Sequence, residues 1–71
     1  MNDVKRKLDI KLNIAGRPYE LSIDREREEV YRKAEREVNK FVASTQSQLV
    51  LGNEGYLALA ALQFAVQKLT L

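Results

Sequence analysis

The chain has 71 residues, with twelve Lys and Arg, ten Asp and Glu, and neither Cys nor His. That inventory excludes disulfides and thiolate chemistry, and it removes the commonest metal ligand and general base. A chain this short buries only about 60% of the surface its unfolded form exposes. With no disulfide and no strong metal site, a partner chain is the remaining source of extra stability.

The net charge of +2 is unevenly spread. The excess sits near the start, in Lys5, Arg6, Lys7 and Lys11, while residues 24–47 and 48–71 are each balanced. A nucleic-acid binder is expected to show a broader basic face. No apolar stretch comes after Met1-Asn2-Asp3-Val4, so no signal peptide is expected. The apolar region at 56–71 is interrupted by Gln63, Gln67, Lys68 and Thr70 and is too short for a membrane span. A cytoplasmic protein with no membrane partner is expected.

One domain over residues 1–71 is expected, beginning with a basic tail at 1–7. Residues 8–14, Leu-Asp-Ile-Lys-Leu-Asn-Ile, alternate strictly between apolar and polar, as do residues 19–23, Tyr-Glu-Leu-Ser-Ile. Alternation is the period of a strand with one buried face. The link Ala15-Gly16-Arg17-Pro18 supplies a glycine for positive φ and a proline that extends Arg17. These features predict a β-hairpin over 8–23. Its buried face should carry Leu8, Ile10, Leu12, Ile14, Tyr19, Leu21 and Ile23.

A charged amphipathic helix is expected over 24–47. Asp24 is the candidate N-cap, and Glu26, Glu28 and Glu29 suit the positive end of the helix dipole. Val30, Ala34, Val38, Phe41 and Thr45 recur at helical spacing, with Tyr31 and Val42 broadening the stripe. The opposite side carries the pairs Glu28–Arg32, Glu29–Lys33 and Lys33–Glu37, each contributing about 0.2–0.5 kcal/mol. Gly52, Asn53 and Gly55 mark a break, and Asn53 is a candidate cap for a second helix.

That second helix, expected over 54–71, is apolar almost all round. Only Gln63, Gln67 and Thr70 form a polar strip. Such a helix must be buried on nearly every side, and one hairpin plus one helix cannot surround it. Leaving about four large side chains wet forfeits roughly 6–12 kcal/mol, comparable with a whole domain's stability. Two-fold pairing of this helix with a second copy is the simplest remedy. The expected dimer interface is Tyr56, Leu57, Leu59, Ala60, Ala61, Leu62, Phe64, Val66 and Leu69. The expected fold class is α+β, in the order ββαα, dimerising through the second helix.

Three segments carry a family resemblance: Ile14-Ala15-Gly16-Arg17-Pro18-Tyr19-Glu20-Leu21, then Val38-Asn39-Lys40-Phe41-Val42, then Asn53-Glu54-Gly55-Tyr56-Leu57-Ala58-Leu59-Ala60-Ala61-Leu62-Gln63-Phe64-Ala65. Over about residues 8–71 the chain resembles the head of ZapA. The first segment is similar to that family's strand–Gly-Arg–strand hairpin, and the second to the end of its first helix. The third is similar to the start of its second helix, with Gln63 where Asn is common.

The resemblance implies a cytoplasmic, non-enzymatic adaptor at the division site that binds the tubulin-like protein FtsZ and bundles its filaments. It also implies dimers through the heads and tetramers through a C-terminal coiled coil. The chain ends at Leu71, before or within that coiled coil, so a tetramer is expected only with a longer tail. Residues 41–53 carry no charge, where the family tends to place basic residues. Partner contact is therefore assigned to Arg17 and to Arg32, Lys33, Arg36 and Lys40.

No cofactor, metal site or catalytic constellation is expected. Glu54 reads as a first-turn helix charge, and Gly52-Asn53-Glu54-Gly55 lacks the length, Lys and Ser/Thr of a phosphate-binding loop. Two other readings compete. One is a small DNA-binding dimer that uses the hairpin and the basic tail, against which Asp9 and Glu20 on the outer hairpin face argue. The other is an orphan oligomerisation module.

Overall fold

A computed structural model describes residues 6–70. Strand β1 (Lys7–Ile14) pairs antiparallel with β2 (Arg17–Asp24), a 3-10 turn covers Arg25–Arg27, and two helices complete the chain, α1 (Glu28–Gln46) and α2 (Asn53–Thr70). The architecture is ββαα and α+β, as the alternating runs and helical periods predict. Lys5 and the preceding part of the basic tail lie outside the described residues, as does Leu71.

The register pairs Leu8 with Ile23, Ile10 with Leu21, Leu12 with Tyr19 and Ile14 with Arg17. These residues share one face of the sheet, because side chains two apart along a strand point the same way. Between Ile14 and Arg17 lies the two-residue turn Ala15-Gly16, with φ of 53° and 86°. Two successive positive φ values suit the right-handed twist of the flanking strands. Arg17 and Pro18 thus belong to β2 and not to the link.

Helix α1 packs on β1, and Ile10, Leu12 and Ile23 form a buried cluster flanked by Leu8, Ile14 and Tyr31. Tyr19 and Leu21 sit on that same sheet face yet stay 45% and 38% exposed. The expected buried face is therefore half covered: α1 lies over β1 and leaves most of β2 open. A second set of buried residues, Val42 and Thr45 from α1 with Tyr56 and Ala60 from α2, marks where the helices meet. The Phe41 and Phe64 rings add a tilted contact there, with centroids 6.2 Å apart.

Two helix starts differ from expectation. Asp24 caps only the 3-10 turn and makes no side-chain cap bond, because its carboxylate faces Lys7 Nζ at 3.2 Å. Helix α1 begins at Glu28. At α2 the Gly52 carbonyl accepts from the Tyr56 amide at 3.1 Å, so Gly52 holds the capping position. The Asn53 side chain is turned away, to Ala15.

Candidate interaction surfaces

The polar side chains that α1 directs inward decide which of its residues remain free on the outside. Arg32 Nη1 donates to the Lys11 carbonyl at 2.9 Å, and Glu35 Oε2 accepts from the Asn13 amide at 2.6 Å. Asn39 Nδ2 donates to the Asn13 carbonyl at 2.6 Å, and its Oδ1 accepts from the Ala15 amide at 2.8 Å. Polar side chains of α1 thereby satisfy the Lys11 carbonyl and both Asn13 backbone groups on the outer edge of β1. This explains why the inward stripe runs Tyr31, Glu35, Val38, Val42 and Thr45. Val30, expected inside, is 56% exposed, and Ala34 is exposed too.

Arg32 is therefore held by the fold itself: besides Lys11 it faces Glu28 at 3.6 Å and Glu35 at 3.8 Å. Lys33, Arg36 and Lys40 come at spacings of three and four, all exposed on one side of α1. Lys33 pairs with Glu29 at 3.5 Å and Lys40 with Glu37 at 3.8 Å, both solvent-facing contacts of small value. The expected Lys33–Glu37 pair gives way to Glu37–Lys40. Arg17 is exposed at the start of β2, where Arg17, Tyr19, Asn53, Glu54 and Leu57 line a shallow notch. In the tail, Arg6 faces Glu26 at 3.9 Å and Lys7 faces Asp24, so these charges are internally matched.

The nine residues named for α2 divide into two sets. Tyr56 and Ala60 are buried in the chain's own core, and Leu57, Leu59 and Phe64 are half-buried. Ala61, Leu62, Val66 and Leu69 are open, the last three 61%, 51% and 84% exposed. Leu62, Val66 and Leu69 fall at spacings of four and three, so they form one stripe along the helix. No helix of the described residues is long and apolar enough to cross a membrane.

Sequence reading missed the loop between the helices. The Tyr56 hydroxyl donates to the Leu49 carbonyl at 2.8 Å and accepts from the Leu51 amide at 2.9 Å. Val50, between those two anchors, is 98% exposed. Three consecutive apolar residues beside a glycine carried the signal; that a tyrosine would tie them could not be read from the pattern.

Fold and surfaces together define a small α+β domain with an open apolar stripe on α2 and exposed cations on α1. Among the described residues no cluster of acidic side chains is arranged to hold a metal. The sequence profile described as "Cell division protein ZapA" matches residues 10–71, and the chain belongs to the ZapA family. This is a family of non-enzymatic cell-division proteins associated with the FtsZ ring. Neither the curated proteins nor the solved structures contain a match to the chain.

Proposed function

We propose that the protein is a cytoplasmic adaptor that self-associates through α2 and binds FtsZ at the division site, aligning its filaments. The observation that carries this reading is the stripe Leu62, Val66 and Leu69, which the chain's own fold leaves open. Pairing two such stripes about a two-fold axis removes them from water and holds two identical heads at a fixed separation. Lys33, Arg36 and Lys40 on the outer side of α1, with Arg17 at the start of β2, form the FtsZ-facing surface. Two such surfaces on one particle raise the effective concentration of the second contact, which favours neighbouring protomers and filaments over single ones. No chemical step is required.

Cosedimentation with polymerised FtsZ tests the proposal. The adaptor is expected in the polymer pellet in proportion to FtsZ, with light scattering rising as filaments align. A protein that stays in the supernatant at saturating polymer overturns the FtsZ assignment. Sedimentation as a lone 8.2 kDa particle at micromolar concentration overturns the paired α2.

A further inference from the structure

The two edges of the hairpin are treated differently. On β1 the outward backbone groups are those of Lys7, Lys11 and Asn13, shown by their bonds to Arg25, Arg32, Glu35 and Asn39. Their partners across the sheet are Asp24, Glu20 and Pro18, so these residues and Ser22 turn their own backbone groups to the opposite edge. The Asp24 carbonyl starts the 3-10 turn, and among the described residues no bond from outside the hairpin reaches Glu20 or Ser22. The usual devices that blunt an edge strand are Lys, bulges and proline. Here β2 carries charges at Arg17, Glu20 and Asp24 but no Lys, its register with β1 is uninterrupted, and Pro18 stands only at the turn end. Beside the open edge lie Tyr19 and Leu21, the partly exposed half of the apolar sheet face.

We infer that β2 pairs antiparallel with β2 of a second copy, about a two-fold axis at Leu21, to give one continuous sheet. The inference rests on the self-association proposed above and adds a second contact surface to it. Charge selects the register. With Leu21 opposite Leu21 of the second copy, Glu20 faces Ser22 of that copy and the two exchange both backbone hydrogen bonds. Sliding by two residues brings Glu20 against itself in one direction and against Asp24 in the other, and like charges directly opposed are destabilising. Sliding by one residue turns the apolar face over.

The chosen register also sets Tyr19 beside Ile23 of the second copy, so both apolar faces lie on one side. Asp24 keeps its ion pair with Lys7 at 3.2 Å, and Glu20 stands opposite Lys11 in the hairpin register. The outer edges of the combined sheet are then the two β1 strands, each already bonded by its own α1 at Lys11 and Asn13. An isolated hairpin is marginal in water, whereas three or more strands with an apolar face are not.

The chain has no cysteine, so Leu21→Cys in the full-length chain reports this pairing directly. Residues opposed at a non-hydrogen-bonded antiparallel position have Cα atoms about 4.5 Å apart, within disulfide reach. Ser22→Cys is the control, because it lies opposite Glu20 and its own copy is beyond the roughly 7 Å limit. Under mild oxidation L21C is expected to double in mass from 8.2 kDa on a non-reducing gel, and S22C to stay at 8.2 kDa. In the unmodified protein, the Glu20 and Ser22 amides are expected to exchange as slowly as those of Tyr19 and Leu21.

A wild-type dimer in which L21C stays monomeric on the gel and the Glu20 and Ser22 amides exchange freely overturns the β2 pairing and leaves the α2 pairing standing. Equal cross-linking of L21C and S22C overturns the register. A monomeric wild-type chain overturns both contacts.

Discussion

Asn39, on α1, holds Ala15 at the tip of the hairpin: its Oδ1 accepts from the Ala15 amide while its Nδ2 donates to the Asn13 carbonyl. Asn53, at the start of α2, completes the grip by donating to the Ala15 carbonyl at 3.0 Å. Two side-chain amides from two helices thus close on one turn residue and lock hairpin, α1 and the start of α2 together. Asn39→Ala removes an acceptor and a donor at once. It is expected to cost about 1–3 kcal/mol, the range for stranding partly buried backbone groups. Asn39→Asp keeps the acceptor for Ala15 but sets a carboxylate oxygen against the Asn13 carbonyl, and should cost at least as much as Ala. Urea denaturation monitored by circular dichroism measures both.

Ala15 sits at a φ of 53°, a region that suits Gly or Asn and costs most L-residues roughly 1–2 kcal/mol. Ala15→Asn gives the Asn-Gly pair favoured for a turn with two positive φ values. An increase of about 0.5–1 kcal/mol in unfolding free energy is expected, read from the urea midpoint. A decrease would show that Ala15 has a contact that Asn disrupts.

The hairpin was legible because alternation over 8–14 and 19–23 reports a period that only a strand satisfies. The register and the shared face of Leu8, Ile10, Leu12 and Ile14 with Tyr19, Leu21 and Ile23 come from it. Coverage was not legible, since which half of that face a helix crosses depends on where α1 docks. Docking is set by Arg32, Glu35 and Asn39 on the edge of β1, residues that a hydropathy reading assigns to solvent. The same blindness placed Val30 and Ala34 inside, and it gave Arg32 its Glu28 pair but not its bond to the Lys11 carbonyl. On α2 the excess of apolar surface was legible, but not its division: Tyr56 and Ala60 serve the chain's own core, and Leu62, Val66 and Leu69 do not.

Tyr56 joins Leu49 and Leu51 through one hydroxyl that both donates and accepts. Tyr56→Phe keeps the ring in the core and removes only that tie. A loss of about 1–3 kcal/mol is expected from the unsatisfied loop groups. Hydrogen exchange at the Leu51 amide should speed up more than at amides within α1. Equal acceleration everywhere would indicate global destabilisation instead.

Arg32 and Arg36 separate the fold from the proposed partner surface. Arg32→Ala removes the donor to the Lys11 carbonyl and two carboxylate contacts, so it should lower stability by about 1 kcal/mol. Arg36 is exposed, and Arg36→Glu should move the unfolding midpoint little, since surface substitutions usually stay within about 0.5 kcal/mol. FtsZ cosedimentation should respond in the opposite order, weakening steeply for Arg36→Glu and for Lys33→Glu, and more so at low salt, where surface charges act over longer distances. Undiminished pelleting of both reversed variants would remove this face of α1 from the FtsZ contact.

Leu62→Glu tests the open stripe of α2. Leu62 is 61% exposed, so the fold of the single chain should tolerate the charge and the helical circular dichroism should persist. In a paired α2 the same carboxylate lies among Val66, Leu69 and their copies, where burying an unpaired charge is costly. The expected result is a particle mass falling from dimer to 8.2 kDa at micromolar concentration, with FtsZ bundling lost and any binding by single heads retained. Loss of binding and bundling together with an unchanged mass would place Leu62 in the FtsZ contact. An unchanged mass with intact bundling would remove the stripe from the interface and leave the heads to pair elsewhere.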